Sequence, residues 1–151
     1  AIILAHAGLK RLNMESEITE TLPHKYFLPA AGQGAVGIQS KVKSRFRKVF
    51  RSINDEQTEM MITAERSFLK KIRANCNSPV SVYATIENQQ LNLQCQILSH
   101  NGDIIFRESM SSAPDEGQII GKELGNSAIQ QLGQDTIDKL DNFENDFNYT
   151  S

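Results

Sequence analysis

Cys76 sits in the run Lys71-Ile72-Arg73-Ala74-Asn75-Cys76-Asn77-Ser78-Pro79-Val80, between a basic, helix-like stretch and a strand-like one. A thiol on a short connection beside positive charge is placed to react rather than to fill space. Upstream lies the turn Gly32-Gln33-Gly34-Ala35. Two glycines around one polar residue let the backbone take left-handed angles and approach a ligand closely. The pattern fits neither a Walker loop nor a dinucleotide fingerprint, so by itself an ordinary tight turn is the simpler account. Arg11 follows a short apolar helix face. It can act as a fork-like clamp on a carboxylate, although a solvated surface side chain is the simpler account. Glu65-Arg66 falls in mid-helix, where an ion pair within the helix or to another helix is expected, with substrate contact as the second reading.

Other chemistry finds no support. His6, His24 and His100 are far apart and share no ligand spacing with the cysteines, so no metal site is expected. No serine or cysteine triad can be assembled. Cys95 lies in Leu91-Asn92-Leu93-Gln94-Cys95-Gln96-Ile97, where every second residue is apolar; this predicts a buried, inert core thiol. Two cysteines make no disulfide framework, and a reducing, cytoplasmic setting fits them.

The net charge of −2 hides an asymmetry. Residues 1–76 hold 13 Lys or Arg against 7 Asp or Glu, whereas residues 77–151 hold 3 against 11. The basic half is expected to face something anionic: nucleic acid, phosphate or a carboxylate-rich substrate. No apolar run approaches the ~20 residues that span a bilayer. The chain opens inside an apolar, strand-like run, Ala1-Ile2-Ile3-Leu4-Ala5, with neither an initiator methionine nor a basic flank, and reads as part of something longer.

The positioning elements follow from periodicity. Ile2 to Ala5 reads as a buried strand running into a short helix through Leu12. Residues 23–34 form a connector containing Pro23 and Pro29. A short strand over residues 35–39 leads to a basic amphipathic helix from Ser44 to Ile53, with Phe46, Val49, Phe50 and Ile53 on its apolar face. Asn54 with Gln57 predicts a capping box that starts a helix running to about Arg73. Its apolar stripe is Met61, Ala64, Phe68, Leu69 and Ile72. After Cys76 the period becomes two. Strands are predicted over 80–86, 91–97 and 103–110, with turns at Glu87-Asn88-Gln89 and Asn101-Gly102, then helices over 116–132 and 136–140 and a polar tail from Asp141. The fold class is α+β: a C-terminal domain with a three-stranded antiparallel sheet and helices on one face. Incomplete α/β segments precede it.

Taken together, four pieces of the chain resemble the hydroxymethylbilane synthase (porphobilinogen deaminase) family. They are Ala1 to Leu12; Leu28-Pro29-Ala30-Ala31-Gly32-Gln33-Gly34-Ala35-Val36-Gly37-Ile38; Thr63-Ala64-Glu65-Arg66; and Cys76-Asn77-Ser78-Pro79-Val80. The resemblance covers essentially the whole chain and corresponds to about the C-terminal half of a three-domain enzyme. It implies that residues 1–34 are the end of a second α/β domain and its return crossover, and that 35–55 belong to a first α/β domain. Residues 56–151 would be the cofactor-bearing C-terminal domain.

The implied activity is the head-to-tail condensation of four porphobilinogen molecules into hydroxymethylbilane with release of ammonia, in tetrapyrrole biosynthesis. By position, Cys76 is the residue that holds a dipyrromethane cofactor through a thioether. Loss of ammonia leaves an electrophilic methylene that a soft sulfur captures. Gln33 and Gly34 match the loop lining the cleft floor, and Arg11 matches a position that contacts pyrrole carboxylates. No catalytic residue is expected in this stretch, which by itself should be inactive. The partners implied are porphobilinogen, the growing polypyrrole chain and the missing N-terminal domains, in a cytoplasmic, monomeric parent without nucleic acid or membrane. The family's loop has two glycines before the cysteine; here they are Ala74 and Asn75, of which Asn75 better tolerates left-handed angles. The alternative is a non-catalytic module that binds anions or nucleic acid through residues 41–51. A solvated helix surface is the simpler account of that run, because its aromatics belong to the apolar face.

Overall fold

The computed structural model describes residues 1–140. Its organised part is an α+β unit: α3 (Glu56–Lys71), β1 (Val80–Glu87), β2 (Gln90–Leu98), β3 (Ile104–Ser112), α4 (Gly117–Leu132) and α5 (Gln134–Asp138). Before it lie two short helices, α1 (His6–Arg11) and α2 (Arg47–Ser52). The sheet is an antiparallel meander in the order β1-β2-β3, as the alternating pattern predicted.

α3 begins at Asp55, whose carboxylate accepts the Thr58 N–H at 2.7 Å and is held below its usual pKa by that bond. The expected cap, Asn54, instead donates from Nδ2 to Glu59 at 2.6 Å. Glu56 and Glu59 in the first turn and Lys70 and Lys71 in the last complement the helix dipole. Ala64, Phe68 and Ile72, spaced by four, form the buried stripe. The β1–β2 turn is tight because Asn88 and Gln89 both take left-handed angles, φ 51° and 62°, matching the twist of the flanking strands.

Register assigns each strand residue a face. Val82, Ala84, Leu93, Cys95 and Ile97 point inward with Phe106 of β3. α3 covers the β1 side of this face and α4 the β3 side. The two helices run in the same direction and nearly touch. A Cβ on Gly121 would lie 2.5 Å from the Ala64 carbonyl oxygen, so only glycine permits that approach. The opposite face is polar, with Ser81, Tyr83, Gln94, Gln96 and Arg107. Residues 23–28 cross it: the His24 ring meets Tyr83 edge-on at 4.4 Å, and Arg107 Nη2 donates to the Lys25 carbonyl.

Residues 1–55 depart from expectation. Ala1–Ala5 and 35–39 form no strand, and Val36 is 92% exposed. A strand needs a ladder partner, and the sheet consists of β1, β2 and β3 alone among the described residues. The basic helix is shorter than predicted, and its apolar residues Val49 and Ile53 face solvent because nothing packs on them. Leu28 is the one fully buried side chain of this region. Of the helices, α5 starts two residues earlier than the sequence indicated. The predicted polar tail, from Asp141, lies outside the described residues. No described helix is long and apolar enough to cross a membrane.

Candidate functional site

The Cys76 loop is fixed at both ends and internally. α3 stops in a Schellman arrangement: Arg73 N–H donates to the Lys70 carbonyl and Ala74 N–H to the Leu69 carbonyl. The left-handed residue is Arg73, with φ 56°. Neither Ala74 nor Asn75 takes a positive φ, so the positions expected to need glycine do not need it. Beyond the cap, Asn75 N–H donates to Ser78 Oγ and Asn77 N–H to Asn75 Oδ1, each at 2.8 Å. Pro79 then hands the chain to the sheet, its carbonyl accepting the Leu98 N–H at 2.9 Å. Cys76 is exposed on this small scaffold, its Sγ 3.8 Å from Asn77 Oδ1. Cys95 is the opposite case. It is fully buried on the inner face, and burial, helped by the Glu65 and Glu108 carboxylates, pushes its thiol pKa far up.

The Gly32 turn closes on itself through Gln33 N–H to the Ala30 carbonyl and Ala35 N–H to the Gly32 carbonyl, both 3.1 Å. Gly32 and Gly34 take φ of 72° and 86°, and nothing lies within 4 Å of a Cβ built on Gly34. Gln33 is exposed. The turn is tied to the α+β unit by Glu65, whose Oε2 accepts the Gly32 N–H at 2.7 Å. The other oxygen, Oε1, accepts the Ala84 N–H at 2.9 Å. Burial raises the Glu65 pKa, and the two amides partly offset that. Neither Glu65 nor Arg66 makes the expected ion pair among the described residues: Glu65 faces the core side and Arg66 the outside. The helical spacing carried a signal for this, since Glu65 stands four residues after Met61 and seven before Ile72, on the apolar stripe.

Arg11 ends α1 on the surface, and nearby His6 Nε2 lies 3.5 Å from Glu15 Oε1. No hydrogen bond or ion pair among the described residues joins Arg11 to Gln33, or either to Cys76. In the basic stretch 41–51, the Arg45 guanidinium stacks 4.7 Å from the Phe46 ring centroid, and Phe46 is not buried as the sequence implied. A further basic groove escaped sequence reasoning. Arg66, Lys70, Lys71 and Lys122 line it between α3 and α4. No described cluster of His, Cys, Asp and Glu could hold a metal ion.

Two family models match the chain. The dipyromethane cofactor binding domain of porphobilinogen deaminase matches residues 1–48, and the porphobilinogen deaminase C-terminal domain matches residues 60–130. Arg11, Gln33 and Gly34 lie in the first match and Cys76 in the second. Similar curated proteins are porphobilinogen deaminases. That of Chlorobium luteolum is 32% identical over 145 residues, covering 93% of this chain and 46% of its own length. That of Chlorobium phaeobacteroides strain DSM 266 is 36% identical with the same coverage. That of Chlorobium limicola is 36% identical over 143 residues, covering 91% of this chain and 45% of its own length. The chain thus spans about half the length of the curated relatives it matches.

Proposed function

The chain belongs to the porphobilinogen deaminase family, and on that premise we propose that it is the C-terminal part of a hydroxymethylbilane synthase whose Cys76 holds the dipyrromethane cofactor. The observation carrying this reading is the exposed Cys76 thiol on a self-braced loop between α3 and β1. It lies within the stretch similar to the family's C-terminal domain. In this reading residues 1–34 complete a second α/β domain, 35–55 belong to the first, and the unit from residue 56 carries the tether.

The residues present fit such a group. The tether needs an accessible soft nucleophile, and Cys76 is that, whereas Cys95 is sealed in the core. A pyrrole pair needs open space beside backbone, and a Cβ built on Gly34 would meet nothing within 4 Å beyond its chain neighbours. The pyrrole carboxylates need cations, and Arg11 is exposed without an ion-pair partner among the described residues. When bound, the dipyrromethane supplies the pyrrole end from which the chain grows. Cys76 Sγ would hold the group through a C–S bond that replaces the C–N bond of an aminomethyl group, with ammonia as the leaving group and the net loss of the thiol proton. The anionic partner is a carboxylate-rich pyrrole chain rather than nucleic acid, in a cytoplasmic, monomeric parent.

Porphobilinogen consumption tests the assignment. The full-length protein with Cys76→Ser should consume it orders of magnitude more slowly than wild type, and the 151-residue chain alone should consume none. Wild-type turnover by Cys76→Ser removes the tether from the account. Turnover by the chain alone contradicts the need for the remaining length.

A further inference from the structure

Three segments converge on one buried carboxylate. Glu65 is 4% exposed, and its two oxygens accept from Gly32 at 2.7 Å and Ala84 at 2.9 Å. Gly32 opens the turn that presents Gln33 and Gly34. Ala84 belongs to β1, and Glu65 itself to α3; these are the two elements that flank the Cys76 loop. We infer that Glu65 is a positioning residue, clamping the Gln33–Gly34 turn at a set place relative to Cys76. The inference rests on the reading of Cys76 and that turn given above.

The chemistry of the clamp explains why the residue is a glutamate. β1 pairs on one side only, so the Ala84 N–H leaves the ladder at an open edge and needs another acceptor. The Gly32 N–H likewise has no backbone partner. A carboxylate offers one oxygen to each amide at once. A glutamine would turn its NH2 against one of the two donors and leave it unsatisfied. Arg66 lies toward the groove with Lys70 and Lys71, so no cation competes for the carboxylate, and no ion pair involving Glu65 exists among the described residues. The helix then acts as a ruler. Ile72, where the Cys76 loop begins, is seven residues beyond Glu65, about 10 Å along the axis.

Amide exchange resolved to single residues, with intact mass on the same samples of the full-length protein, tests this. In wild type, the Gly32 and Ala84 amides should exchange at least about tenfold more slowly than the Gly34 amide, which donates to no described acceptor. This arm needs no variant to fold. Glu65→Gln should speed exchange at Gly32 or Ala84 by about tenfold or more and lower the fraction of chains bearing pyrroles on Cys76. Equal exchange at Gly32 and Gly34 in wild type, or unaltered Gly32 and Ala84 exchange in a folded Glu65→Gln, overturns the inference. Protected amides in a wild-type protein without any pyrrole adduct leave the clamp standing and remove the tether reading instead.

Discussion

Residues 56–140 and residues 1–55 are built on opposite terms. The first region buries Phe68, Leu91, Leu93 and Ile97 completely and closes its own backbone hydrogen bonds in helices and one sheet. The second leaves Ile2, Val36 and Val42 mostly exposed, with Leu28 as its single fully buried side chain. The difference lies in partners rather than in apolar content. An apolar run becomes a strand only beside another strand and a helix face becomes a core only beneath one. Basic side chains fall in both regions: nine of the sixteen Lys and Arg lie in the open one, and the groove of Arg66, Lys70, Lys71 and Lys122 lies in the closed one.

The sharpest way to break the comparison is a cut in the closed core. Phe68→Ala should cost about 3–5 kcal/mol in urea unfolding, since its side chain is wholly buried. A loss below about 1 kcal/mol would mean the core is not the organising unit. Next, Gly121→Val should cost roughly 1–3 kcal/mol or more, because a Cβ there meets the Ala64 carbonyl oxygen at 2.5 Å. An unchanged midpoint would show that α3 and α4 can separate freely.

At the seam between the regions, Glu65 supplies a pH test. Its pKa is raised from the ordinary 4.5, so the folded state takes up its proton before the unfolded chain does. The linked stability is present below that ordinary value and is lost as pH rises through the raised one. Wild type should therefore lose more stability than Glu65→Gln across that window, and parallel curves for the two would contradict the burial of the carboxylate. Smallest of all, Val36→Asp in the open region should stay within about 0.5 kcal/mol of wild type, its side chain being 92% exposed. A larger effect would reveal packing that this chain's structure does not show.

What the sequence disclosed divides along the same line. The meander, the inert Cys95 and the exposed Cys76 were legible because alternation and turn residues are local signals. The strands over Ala1–Ala5 and 35–39 were misread, because periodicity reports burial that requires a partner sheet. The Asp55 cap displaced Asn54 by one residue, a distinction between equally good side chains. The left-handed position moved from Asn75 to Arg73 because the helix end, not the cysteine, sets where the chain must reverse. Glu65 was seen as one half of an ion pair; its two amide partners are 33 and 19 residues away in sequence, beyond any local pattern.

The most direct test of the central claim is the intact mass of the full-length protein, wild type against Cys76→Ser. The account predicts that wild type carries an increment equal to a linked pyrrole pair and that Cys76→Ser lacks it. An active wild-type enzyme with an unmodified thiol, or an increment that persists in Cys76→Ser, would contradict it.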